Sequence, residues 1–351
     1  VYSEAESHFE KSLQIIPDSL QSYTNLAKTY RINHKRDEAL QLAEQGVQRF
    51  PTDPYLLRQK AELLKQKGAY SEAVDTYENL LRVDDSSKIH LATGELLEQL
   101  GYHTRALGHY RAAAASVRQN ATAFFRAARI LYKIGNLDES LQWSRKGLNI
   151  ALQVMDHEQQ SLKTLIKEES GWLHGENGKK IAQTIKIQQD LIDEHFHFIN
   201  QNFDHKDSEP IVKDLLNRHK KSAHLSMLAG RYYMDAGKMH EGHKLFKRSL
   251  LLNPKLAESH RALGAYYMER NAYRKAIRSY EKSLTLEPLH SETYASLINL
   301  YRKIGQLDRL CDRWLALYKS QSDNKTLRKH LIEALHKSDR LKEVKQVISM
   351  Q

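Results

Sequence analysis

A period of 34 residues runs through most of this chain and restricts its fold more than any other feature: Pro17 and Pro51 are 34 apart, as are Pro254 and Pro288. Between such prolines the same signals return in the same order. Tyr23-x-x-Leu26-Ala27-x-x-Tyr30 leads to Ala39 and Pro51, and Ser226-x-x-Ala229-Gly230-x-x-Tyr233 leads to Phe246 and Pro254. His260-x-x-Leu263-Gly264-x-x-Tyr267 leads to Ala276, Tyr280 and Pro288. Self-similarity at a fixed spacing of this size marks a supersecondary unit that is stacked many times.

The residue types say what the unit is. Leu, Ala, Lys, Glu, Gln and Arg, all good helix formers, dominate the chain, and 6 prolines with 15 glycines are too few for a β-rich fold of 351 residues. The class is all-α. In each unit a small Gly or Ala lets a first helix (A) approach a second helix (B). Alanine does the same from the other side, and a tyrosine or phenylalanine fills the space between them. Proline ends helix B because it disfavours helical geometry in the residue before it. Gly68, Gly101, Gly135, Gly237 and Gly305 recur between the helices, where a left-handed residue ends helix A.

This pattern resembles the tetratricopeptide repeat, whose signature runs large–Leu–Gly–Tyr, then Ala, Phe and Pro. The resemblance implies a right-handed superhelical solenoid of antiparallel helix pairs. The register gives units at 20–53, 54–86, 87–120, 121–152, 223–256, 257–290 and 291–324. A lone B helix precedes them at 3–16, and a degenerate pair follows at 325–349. The expected organisation is an N-terminal block (1–152), an irregular helical insertion (153–222) and a C-terminal block (223–351). In the insertion the apolar pattern predicts helices over Leu162–Glu169, Lys180–Phe203 and Ile211–His219. A loop spans Gly171–Gly178 and a polar break spans Asp204–Pro210. The insertion is read as an elongated, degenerate repeat, with a hinge or docking segment anchored by Trp172 as the alternative. The chain begins without Met on a half repeat, so further sequence is expected upstream of Val1.

Motifs for chemistry are missing. There is no phosphate-binding Gly-x-x-x-x-Gly-Lys-Ser/Thr loop and no Gly-x-Ser-x-Gly elbow, so no catalytic residue and no cofactor is expected. The one cysteine, Cys311, excludes an internal disulfide and is expected as a buried structural thiol. His195 and His197, two apart on a helix, point to different sides, and the His240/His243 pair has no evident third ligand, so no metal is expected and the histidines are assigned to the surface. Tyr30, Tyr233, Tyr267 and Tyr301 are packing residues of the repeat. No stretch has the roughly 18–20 apolar residues of a membrane span. A cytoplasmic location is expected.

In the resembling family, positions two, five, nine and twelve of helix A face a concave groove. Carried onto this sequence, the ligand-facing candidates are Lys28, Arg31, Arg58 and Arg129 in the first block. In the second they are Met227, Arg231, Met234, Arg261, Met268, Asn299 and Arg302. The methionines suggest an adaptable apolar strip, and the arginines could fork onto carboxylates. Residues 223–351 carry 24 basic and 13 acidic side chains, which holds all of the chain's net charge of +11. The reading is a non-catalytic protein-interaction scaffold, a subunit of a larger assembly, whose partner is an acidic or mixed peptide or an amphipathic helix. The chaperone carboxylate clamp and the asparagine ladder of sugar-transferring relatives are both missing. Two alternatives stay open: binding of nucleic acid or another polyanion by the basic last third, and a regulatory region of a larger enzyme.

Overall fold

The computed structural model describes residues 2–116, 120–168, 176–320 and 323–349, and every regular element among them is a helix. The chain divides into two compact units, Val1–His195 and Phe196–Gln351. The first holds α1 (Tyr2–Ile15), α2 (Leu20–Ile32), α3 (Arg36–Arg49), α4 (Pro54–Lys67), α5 (Tyr70–Leu81), α6 (Ser87–Gln99), α7 (His103–Ser116), α8 (Ala121–Lys133), α9 (Leu137–Glu168) and most of α10 (Glu176–Asn202). The second holds α11 (His205–Arg218), α12 (Ala223–Asp235), α13 (Met239–Leu252), α14 (Ala257–Glu269), α15 (Tyr273–Leu286), α16 (Ser291–Lys303), α17 (Leu307–Ser320), α18 (Lys325–Lys337) and α19 (Leu341–Ser349). Among the described residues no helix is long and apolar enough to cross a membrane.

Local chemistry sets the helix ends. The A helices α2, α4, α8, α12 and α18 start on side-chain caps that satisfy an otherwise orphaned N–H, whereas α6, α14 and α16 have no such cap. Asp53 accepts from the Leu56 amide at 2.8 Å, ahead of Pro54 at the first helical position, and Asn324 accepts from the Leu327 amide at 2.9 Å. A helices end on a residue in the left-handed region. The five predicted glycines take φ of 67° to 84°, and His34, Asn271 and Asp339 occupy the equivalent turns at φ 59°, 55° and 58°. Positions 237, 271, 305 and 339 are 34 apart, so the period is written in the backbone and reaches the terminal pair α18–α19.

In several units helix A meets helix B through a small residue and a ring. A Cβ built on Gly230 would lie 2.5 Å from the Phe246 ring, on Gly264 2.8 Å from Tyr280, and on Gly94 2.6 Å from Tyr110. Ala27, Ala39 and Ala43 play this part in the first unit, with exposures of 1%, 0% and 0%. Cys311 is buried with Trp314 and Tyr318, and burial pushes its thiol above the usual range. The repeat tyrosines pack as expected and also bond back to the preceding B helix. Tyr30 donates to Glu10 at 2.7 Å and Tyr301 to Glu281 at 3.0 Å.

The segment that breaks the period departs in detail from its sequence reading. Helix α9 runs unbroken from Leu137 to Glu168, so the helix expected over 162–169 is a continuation of the fourth unit's B helix. Glu176–Gly178, expected as loop, already belong to α10. Asp204–Pro210, expected as a polar break, is one N-cap residue followed by the first turns of α11, because Asp204 at φ −62° and ψ 140° starts a helix there. Trp172 and the rest of the expected loop through Gly175 lie outside the described residues.

The surface assignment of the histidines also needs correction. His195, His219, His224 and His330 are all buried, because imidazole is flat enough to pack as an aromatic. His195 stacks on Phe125 with ring centroids 4.1 Å apart, and His330 stacks on Tyr294 at 5.2 Å.

Two predictions follow from this packing. Gly230→Ala should destabilise the chain by about 1–3 kcal/mol through overpacking against Phe246. His34→Gly should stabilise it by about 0.5–1 kcal/mol by relieving a left-handed non-glycine residue. Urea unfolding followed by circular dichroism reads both. For His195, burial first and then the nearby Arg129 lower the imidazole pKa from 6.5 to about 3. The neutral ring therefore stabilises the fold fully above the unfolded value of 6.5, and that contribution is lost as pH falls towards 3. The melting temperature should drop between pH 7 and 5, and His195→Phe should flatten that slope.

Candidate functional site

In the second unit, α12, α14 and α16 are successive A helices. Their exposed sides, with one ring each from α13 and α15, enclose an open groove of about 470 Å³. Arg231, Met234 and Asp235 line it from α12; Glu258, Arg261, Ala262, Ala265 and Glu269 from α14; and Glu292, Thr293 and Ser296 from α16. His290 lies at the turn into α16, and Phe246 and Tyr280 close the floor. These two rings are the same ones that hold Gly230 and Gly264, so the packing device of the repeat also shapes the groove. Burial pushes the Tyr280 phenol up and keeps it neutral.

Three of the sequence-predicted residues meet here: Arg231, Met234 and Arg261. Arg231 is exposed and has no ion pair among the described residues. Arg261 is engaged already, pairing with Glu287, lying 3.7 Å from Glu258 and reaching Ser283 Oγ at 3.4 Å. Asn299 and Arg302 are exposed on α16 outside the lining. The expected methionine strip does not form. Met227 is 1% exposed on α12, a helix held on one side by α10 and α11 through the Asn200–Asp235 and Ser208–Tyr232 bonds. Met268 packs half-buried against the core of α15–α19. Only Met234 is left to face the groove.

In the first unit the candidate cations are mostly spent within the fold. The Arg31 guanidinium lies 4.0 Å from Glu62, and Lys65 lies 3.7 Å from Glu95. Arg126 reaches Glu95 at 3.3 Å, and Lys133 donates to Glu98 at 2.6 Å. Cations of one repeat thus face carboxylates of an adjacent repeat, the following one for Arg31 and Lys65 and the preceding one for Arg126 and Lys133. Burial alone would raise the Glu98 carboxyl, yet Lys133, Tyr110 and Arg126 hold it below the usual range. Arg58 donates to Asp84 at 2.6 Å. Arg129 pairs with Glu194 of α10 and, with Thr122 and Phe125, lines a cleft of about 80 Å³ that Leu191 and His195 help close. The chain's own α10 therefore covers three positions of the fourth unit that the sequence reading expected to face a ligand. Lys28 is exposed.

The groove residues missed by sequence are chiefly Asp235 and Glu269, the last residues of α12 and α14, and the rings Phe246 and Tyr280. Both pairs are spaced by 34 residues, a signal the period itself carries. Their omission hid the sign of the site: the lining holds four carboxylates and two guanidiniums. The excess positive charge of this unit lies elsewhere. Helices α13, α15 and α17 carry 10 basic and 4 acidic residues, whereas α12, α14 and α16 carry 4 of each. Acidic character in the ligand, expected from the arginines at the groove positions with a mixed segment or an amphipathic helix as the other choices, is therefore not what the groove lining favours.

Tetratricopeptide repeat profiles match residues 58–121, 91–150 and 227–291, and a second profile of the same description matches 19–50. No curated protein matches the chain. Among solved structures the chain is similar to YrrB, described as a TPR protein with an unusual peptide-binding site, at 15% identity over 72% of this chain and 95% of that one, with a TM-score of 0.36. It is similar to the C-terminal part of a TPR repeat-containing protein from Cytophaga hutchinsonii, at 13% identity over 78% and 99%, with a TM-score of 0.43. It is also similar to the APC/C hetero-tetramer Cut9–Hcn1, at 15% identity over 99% and 75%, with a TM-score of 0.34. With its helix pairs, its left-handed turns spaced by 34 residues and these profile matches, the chain belongs to the tetratricopeptide repeat family.

Proposed function

We propose that this chain is a non-catalytic scaffold that holds a peptide segment or helix of a partner protein in the groove of its second unit, as a subunit of a larger assembly. The observation that supports this best is the contrast between the two units. In the first, three of the four candidate cations are tied up, Arg31 by the adjacent repeat, Arg58 by Asp84 and Arg129 by α10. In the second, a groove of about 470 Å³ stays open, with exposed Arg231, Glu269 and Glu292 unpaired among the described residues. A cleft with a partly apolar floor and a few unsatisfied polar groups is the ordinary form of a binding site. Repeat arrays present such surfaces for extended partners.

A second reading, polyanion binding, is favoured by one feature, the basic row along α13 and α15. Lys244, Arg274, Arg278 and Lys282 are exposed there and unpaired among the described residues. It predicts contact through the outer helices and a steep loss of affinity with salt.

A photo-crosslinking amino acid separates the two readings. Placed at Ala265, an exposed small residue within the groove, it should trap a partner polypeptide in cells. Placed at Lys282 on α15, it should not. Crosslinks from Lys282 alone would contradict the groove reading.

A further inference from the structure

We infer that the occupant of the second unit's groove is basic: a polypeptide segment that presents Lys or Arg side chains between apolar ones. This rests on the groove reading above and adds the chemistry of what fills it. The cations of the lining leave little for an anion to meet. Arg261 is held by Glu287 and Glu258, which leaves Arg231 as the lining cation with no ion pair among the described residues. The carboxylates are under-compensated. Glu269 and Glu292 are exposed and have no ion pair among the described residues. Asp235 accepts a 2.6 Å bond from the neutral amide of Asn200, which orients the carboxylate without cancelling its charge.

Against Arg231, then, stand three carboxylates that no cation neutralises. They sit at the end of α12, at the end of α14 and in the first turn of α16, so they ring the groove from three helices. Its apolar lining between them is Met234, Ala262 and Ala265, over the floor of Phe246 and Tyr280. Low-dielectric walls strengthen the field of the charges beside them. An ammonium or guanidinium entering here gains two or three charge-assisted hydrogen bonds. The small Ala262 and Ala265 leave room for its apolar neighbours. An acidic segment would set its own carboxylates against the same three, and like-charge contacts of that kind exclude a partner. The excess positive charge on α13 and α15 does not reverse this, because it lies on helices whose charged side chains are not among the groove's lining.

The test uses three fluorescein-labelled peptides of equal length and identical Leu/Tyr spacing, with Arg, Gln or Glu at the remaining positions. Each is titrated into the full chain at low salt and followed by fluorescence anisotropy. The Arg peptide should bind at least about tenfold more tightly than the Glu peptide. The double variant E269K/E292Q should weaken the Arg peptide by about tenfold. It places a cation at a helix C-terminus and removes charge from a first turn without adding one there, so the helices are retained, which a melting curve checks. Lys244→Glu on the outer helix should leave the affinity unchanged. Equal or tighter binding of the Glu peptide would overturn the inference and, if Arg231→Glu abolished that binding, would leave the groove reading in place. Binding of none of the three would also overturn it, and the groove reading then stands or falls on the Ala265 crosslink. Unchanged binding of the Arg peptide to E269K/E292Q with the fold retained would put the basic peptide's carboxylate partners outside the groove and contradict the inference.

Discussion

The close approach of a glycine or alanine to an aromatic ring is the contact on which the rest of this structure depends. Gly230 against Phe246, Gly264 against Tyr280 and Gly94 against Tyr110 leave no space for a Cβ without displacement. That proximity sets the distance and tilt between helices A and B. Because the same contact recurs at a constant spacing, successive helix pairs stack with equivalent residues side by side. Equivalent positions on A helices then form rows, and the rows become the walls of a groove. A surface able to receive an extended partner is thus a consequence of the packing rule itself.

Electrostatics gives the two units different characters. The first spends its cations on its own carboxylates, through Arg31 with Glu62, Lys65 with Glu95 and Lys133 with Glu98. Each such pair is half-exposed and worth little by itself, but together they fix neighbouring repeats and leave little charge to offer. The second unit sorts its charge by helix. Arginines and lysines collect on α13, α15 and α17, and the groove between α12, α14 and α16 keeps an excess of carboxylates. Net charge summed over the unit therefore points to the wrong sign for the groove.

Much of the fold was legible in the sequence because its signals are local and repeated. Tyr233, Gly230, Phe246 and Pro254 each act within one repeat, and the glycine turns at Gly68, Gly101, Gly135, Gly237 and Gly305 need only a left-handed backbone. His34, Asn271 and Asp339 occupy the same turn but mark it less plainly in sequence, because such side chains enter the left-handed region less readily than glycine and also serve many other roles. The groove was legible in part. Arg231, Met234 and Arg261 lie in it, but the state of each depends on partners far along the chain: Glu287 for Arg261, Asn200 for Asp235, and the flank of α12 for Met227. Burial of His195 against Phe125 was hidden for the same reason, since it joins a residue of the fourth unit to one 70 further along, in the stretch without period.

Hydrogen exchange on the chain, free and saturated with the polypeptide recovered at Ala265, tests the central claim most directly. Binding in the groove predicts added protection at the exposed ends of α12, α14 and α16 and in the turn at His290, with α13, α15 and α17 unchanged. Protection confined to α13, α15 and α17 would contradict the account, because it would place the partner on the basic outer row and leave the groove empty.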